Sequence, residues 1–151
     1  MTEQVNHPSH YNQNLISIET IEIIDLLTNR PAFDLGNAIK YICRAPYKGT
    51  PLVDLEKALW YINDYTLHAH NKTGVTISAF EKNQLLKVGF SMRDCEESSI
   101  AERSSADILK TLIFDLTEYA GRVGRTQVCI KENIALLRAQ TGDKNENLDK
   151  E

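Results

Sequence analysis

The chain has 151 residues, enough for one domain with at most a small appendage. It is 42% hydrophobic and 25% charged with a net charge of -4, which excludes a mainly disordered chain, a fibre or a coiled-coil rod and disfavours a protein living on duplex nucleic acid. No stretch reaches the roughly 18 apolar residues of a membrane span, and the opening MTEQVNHPSHYN lacks the apolar run and basic flank of a signal peptide, so a cytoplasmic protein without a membrane partner is expected.

Residues 1–14 lack periodicity and read as an extended arm. In 17–28 the residues Ile18, Ile21, Ile24 and Leu27 recur at helical spacing, with Ser17 as N-cap and Asn29-Arg30-Pro31 as the stop. A second helix is expected from about Asp34, its cap, to Ala45, where Pro46 ends it. Its apolar face is Leu35, Ala38, Ile39, Ile42 and Cys43. After the loop 46–51, Thr50 as cap and Pro51 at the first helical position start a third helix. That helix buries Leu52, Leu55, Leu59 and Ile62 and fades near His70, before the turn residues 71–74.

The second half opens with Val75-Thr76-Ile77, a short strand or simply extended chain. Ser78-Ala79-Phe80-Glu81 has the form of a capping box, predicting a helix to about Lys87 that Gly89 breaks. A longer helix over about Ser99–Tyr119 carries Ile108, Leu109, Leu112, Ile113 and Leu116. Gly121-Arg122-Val123-Gly124-Arg125 connects it to a last helix, capped by Thr126 and carrying Ile130, Ile134 and Leu137. From Thr141 the tail is polar and reads as frayed. The fold class is therefore mainly α: a compact helical domain with at most one short β element. It comprises the arm 1–14, a helical region 15–70, a C-terminal helical part 75–140 and the tail 141–151.

The chemistry concentrates in the first half. Asn37, Lys40, Tyr41 and Arg44 lie three or four apart on one helix face, opposite the apolar stripe, and Lys48 follows in the loop. An amide, an ammonium, a phenol and a guanidinium in one line suit a phosphate. The same line is also what a solvated cationic face paired with neighbouring acids looks like. On the next helix Asp54, Lys57, Tyr61 and Asp64 share a face; Trp60 beside Tyr61 is either core packing or a base-stacking platform. Asp54 and Lys57 also have the spacing of an intrahelical ion pair.

Glu19, Glu22 and Asp25 at three-residue steps suit either a magnesium ion or the counter-charges of the basic residues. In the arm, His7 and His10 are available for phosphate contact, acid–base work or metal ligation. The cysteines Cys43, Cys95 and Cys129 have no zinc-site spacing and read as free thiols. No P-loop, dinucleotide fingerprint, HExxH or GxSxG is present, and the glycine–arginine run at 121–125 is a turn or at most an anion contact at a helix start.

The runs VNHPSHYN, IETIEIID, FDLGNAIKYICRAPYKG and DLEKALWYI resemble a small bacteriophage family, domain of unknown function 3310, over roughly residues 5–62. The family includes proteins described as nucleotide kinases that act on deoxynucleoside monophosphates without a P-loop. The resemblance implies a nucleotide or phosphate site formed by His7, His10, Tyr11, Glu19, Asn37, Lys40, Tyr41, Arg44, Lys48, Asp54, Lys57, Trp60 and Tyr61. It also implies work in the cytoplasm of an infected bacterial host. A kinase reading brings magnesium as its cofactor. The expected partners are a nucleotide-derived small molecule and further copies of the chain, because an arm and two short helices enclose little on their own. Two other functions use the same features: a sponge that sequesters a nucleotide immune signal, and an inhibitor whose basic face meets an acidic host enzyme.

Overall fold

The computed structural model describes Leu27 and residues 29–69, 74–93 and 99–142, with side chains of 88–93 left aside. The expected arm, the helix over 17–28 beyond Leu27, the turn at 71–73, Cys95 and the tail from 143 lie outside the described residues. Among the described residues there are five helices and no strand: α1 (Arg30–Arg44), α2 (Pro51–His68), α3 (Ala79–Arg93), α4 (Ile100–Glu118) and α5 (Gly124–Thr141). The mainly α reading holds, and Val75–Ile77 is extended chain rather than a strand.

α1 begins four residues before the expected start. Asn29 Oδ1 accepts from the Ala32 backbone N–H at 3.1 Å, and Pro31 lies in the first turn. A proline there opens a helix, because its missing N–H has no partner to lose and its φ is already helical. Asp34 is thus not a cap but a fully buried residue inside the helix. Thr50 likewise makes no side-chain cap to α2; its carbonyl accepts from Asp54 N at 3.1 Å, and Pro51 supplies the start. The loop between α1 and α2 closes with Tyr47 N and Lys48 N both on the Arg44 carbonyl. It needs the left-handed φ of +82° at Gly49.

Four helices share one core. α1 contributes Ala38 and Ile42, and α2 contributes Leu55, Ala58, Ile62 and Tyr65. α4 adds Ile108, Leu109, Leu112 and Ile113, and α5 adds Ile130, Ile134 and Leu137. Apart from Ala58 and Tyr65, which the spacing did not single out, these belong to the predicted stripes; of the other stripe residues Leu27 and Ile39 are exposed, and Leu35, Cys43, Leu52, Leu59 and Leu116 are half-buried at the edge. α3 lies against α4. Its capping box forms as expected: Ser78 N donates to Glu81 Oε2 (2.8 Å) while Glu81 N donates to Ser78 Oγ (3.1 Å). The helix continues through Gly89 to Arg93. One internal glycine costs only about 1 kcal/mol relative to alanine, less than is needed to end a helix. Val75 N donates to the Leu116 carbonyl (2.8 Å), Lys82 pairs with Glu118, and the Lys82 ammonium lies 4.8 Å from the Phe114 ring.

The turn from α4 to α5 corrects two expectations. α5 starts at Gly124 with Val123 at the cap position, so Thr126 sits in the first turn instead of capping it. The acceptor comes from across the turn: fully buried Asp115 takes Thr126 N (3.0 Å), Thr126 Oγ1 (2.8 Å) and Arg125 Nη1 (3.2 Å). A carboxylate already fills this helix N-terminus; of the glycine–arginine run, residues 121–123 make the connection while Gly124 and Arg125 open α5. Tyr65 Oη donates to the Gly121 carbonyl at 3.0 Å and ties α2 to that turn. Arg138 to Glu56 (2.7 Å) and Gln127 to Asn63 (2.9 Å) tie α5 to α2.

Candidate functional site

α1 and α2 run antiparallel, and an arginine–aspartate fork closes each end of the pair. Beside the loop, Arg44 donates from Nε (3.0 Å) and Nη2 (2.7 Å) to the two oxygens of Asp54. At the far end, Arg30 donates from Nε (2.8 Å) and Nη2 (2.9 Å) to Asp64. Planar guanidinium against planar carboxylate is the geometry that fixes an arginine most firmly. The Asp54 side chain is 1% exposed and that of Arg44 is 33% exposed. The hydrogen bond to Asp54 raises the Arg44 pKa, and partial burial opposes it. Two N–H edges of Arg44 are committed to the fork, and three of its five donors remain.

Between the forks runs a ladder of rings. Tyr41 from α1 stacks on Tyr61 from α2, with centroids 5.8 Å apart and planes 14° apart. Tyr61 also meets Phe33 (5.9 Å) and Trp60 (5.0 Å) edge-on. Tyr41 and Tyr61 pack against the core, so the polar line of α1 is not wholly opposite the apolar stripe. Trp60 is half-buried.

Three cations gather around Tyr41. Lys40 Nζ is 4.7 Å, Arg44 Cζ 4.6 Å and Lys57 Nζ 5.6 Å from its ring centroid. The ring's negative face offsets part of their mutual repulsion. Asn37 orders this group: its amide nitrogen donates to the Phe33 carbonyl (3.0 Å) and its oxygen accepts from Lys40 Nζ (2.8 Å).

The structure therefore brings together Asn37, Lys40, Tyr41, Arg44, Asp54, Lys57, Trp60 and Tyr61 on one two-helix face. Asp54 is placed as the buried partner of Arg44, and the intrahelical Asp54–Lys57 pair does not form. Lys48 stands exposed in the loop, outside the cations around Tyr41. His7, His10, Tyr11 and Glu19 lie outside the described residues, as do Glu22 and Asp25. Sequence reasoning missed Arg30, read as a helix stop, and Phe33. The signal for Arg30 was its place next to Pro31, which fits a first helical turn as well as an end. Cys43 and Cys129 are free thiols, and burial pushes both above the ordinary thiol range.

Residues 5–63 match the sequence profile of a family described as a protein of unknown function (DUF3310), which supports the resemblance for that part of the chain. The matched segment contains all of α1 and most of α2 and ends before Asp64. No curated protein and no solved structure matches the chain.

Proposed function

We propose that this protein binds a nucleotide or a related phosphorylated small molecule on the α1–α2 face and transfers a phosphoryl group between a nucleoside triphosphate and a monophosphate. The observation that supports this reading is the group of three cations within 5.6 Å of one tyrosine centroid, on the helices that match the family profile. Asp54 already offsets the charge of Arg44; the two lysines held beside that arginine are unfavourably concentrated until an anion neutralises them. Arg44 presents a fixed fork, and Lys40 and Lys57 are mobile point charges that follow a moving phosphoryl group.

In the reaction, an oxygen of the monophosphate attacks the terminal phosphorus of the triphosphate. The bond to the bridging oxygen breaks, and two nucleoside diphosphates result. Positioning and charge neutralisation supply most of such a rate enhancement. Lys40, Arg44 and Lys57 would spread the charge on the transferred group, with magnesium bound to the triphosphate as co-substrate. Tyr41 is already stacked on Tyr61, so it serves as the floor of the site. A second copy of the chain against this face is part of the reading, as is a host-cell cytoplasm during phage infection.

Calorimetry with deoxynucleoside mono- and triphosphates, with and without magnesium, tests it. Lys40→Ala and Lys57→Ala each remove one charged hydrogen bond, worth about 1.5–3 kcal/mol, so each should weaken binding by roughly tenfold to over a hundredfold. Binding by the wild type that both variants retain in full would reject the site. Diphosphate formation marks the kinase, whereas tight binding without product marks a sequestering protein. Absence of binding to any nucleotide rejects both and leaves the inhibitor. A sedimentation mass of one chain with ligand bound would reject the second copy.

A further inference from the structure

We propose that the groove between α4 and α5 binds a small organic amine, whose ammonium donates to Asn133 Oδ1 beside Glu132 while its apolar body lies between the two helices. The site does not rest on the nucleotide reading, because none of its lining residues belongs to α1 or α2. The groove measures about 590 Å³, inside the roughly 300–1,000 Å³ of ordinary small-molecule clefts.

Asn133 is the residue that points to a ligand. It is 8% exposed and lines the groove. Its Nδ2 donates to the Cys129 carbonyl at 2.9 Å and to Cys129 Sγ at 3.5 Å. A carbonyl only accepts, so the amide nitrogen is fixed on that side and Oδ1 is the other end. Among the described residues Oδ1 accepts no hydrogen bond. A buried acceptor in that position calls for a donor, and the ligand supplies it.

The charge of that donor follows from the lining. Three carboxylates, Asp107, Asp115 and Glu132, stand against two cations, Lys110 and Arg125. Arg125 is committed at the turn end, where it donates to Asp115 at 3.2 Å and lies 3.5 Å from the Tyr119 ring centroid. Lys110 is one turn from Asp107 on α4, a spacing at which opposite charges offset each other. Glu132 makes no ion pair among the described residues. The acids are felt inside the groove: burial raises the Cys129 pKa, and the charges of Asp107 and Glu132 raise it further against the hydrogen bonds from Thr111 and Asn133. The neutral thiol, with Thr111, Phe114 and Leu136, gives the groove its apolar wall. An anion would meet this excess of negative charge, whereas an amine offsets it and brings an N–H to Oδ1.

The test titrates the full chain with phenethylamine, against phenylacetate (the ring with the opposite charge) and putrescine (the amine without a ring). Calorimetry should show one saturable site for phenethylamine below millimolar concentration and weaker binding of both comparisons. The amide signals of Thr111, Cys129 and Asn133 should shift in nuclear magnetic resonance spectra, while those of Lys40, Tyr41 and Arg44 stay in place. Glu132→Lys exchanges an attraction for a repulsion at an exposed position and should weaken binding about fivefold or more, with an unchanged circular dichroism spectrum. Asn133→Leu keeps the volume, removes the acceptor and should weaken binding at least about tenfold where it folds. Glu132 is exposed, so its variant carries the test alone. No saturable binding of phenethylamine, phenylacetate or putrescine bound as tightly, shifts confined to α1 and α2, or unchanged affinity in Glu132→Lys would each overturn the proposal.

Discussion

Replacing Arg44 by methionine separates a structural fork from a loose surface bridge. The substitution keeps most of the aliphatic stem and removes the guanidinium, leaving the Asp54 carboxylate 1% exposed and without the Nε and Nη2 donors at 3.0 and 2.7 Å. Removing one partner of a buried pair costs about 3–5 kcal/mol, because the other charge stays buried without its counterpart. Arg44 is itself one-third exposed, and water entering through the vacated space moves the expectation to about 3 kcal/mol, the low end of that range. For a chain of this size that lowers Tm by roughly 6–12 °C. The double variant Arg44→Met, Asp54→Leu replaces both charges with apolar groups and should recover most of the loss. Urea unfolding followed by circular dichroism measures both. A loss under about 1 kcal/mol in Arg44→Met, typical of an exposed bridge, would refute the reasoning. So would a double variant no more stable than the single one. The same coupling is why Lys40 and Lys57, rather than Arg44, carry the ligand-binding test.

Gly74→Ala should destabilise by about 1–3 kcal/mol in urea unfolding, because its Cβ would meet the Leu116 carbonyl oxygen at 2.8 Å and Ala120 Cα at 3.1 Å, backbone atoms that cannot step aside. Asp115→Ala should cost about 3 kcal/mol and strip the Thr126 amide of hydrogen-exchange protection, since two buried donors lose their acceptor. The bonds from Ser78 hold the Glu81 carboxyl below its ordinary range. The box therefore stabilises α3 fully above the unfolded glutamate value of about 4.3 and fades as pH falls through the lowered one. An acid titration of the Ser78 and Glu81 amides by nuclear magnetic resonance should show this late transition; a Glu81 midpoint in the ordinary range would contradict it.

The local terms were legible in the chain. The stripes Ala38/Ile42, Leu55/Ile62 and Ile108/Leu112 predict their own burial because a 3.6-residue period is a property of one helix. Ser78 and Glu81 cap α3 from three residues away, and the spacing of Lys40 and Arg44 places them on one face for the same reason. Everything decided between helices was out of reach. Asp34 looked like a cap, yet it is buried inside α1 near Asp64 and His68, residues about thirty positions away. Thr126 looked like a cap, yet the cap of α5 is Asp115, eleven residues earlier on another helix. Asp54 had an equally well-spaced cation in Lys57, and the antiparallel packing of α1 on α2 gave it Arg44 instead. Helix spacing says which side chains point the same way. Which opposite charge a buried carboxylate meets depends on how two helices cross, and that is set by the fit of their apolar faces rather than by any local run of residues.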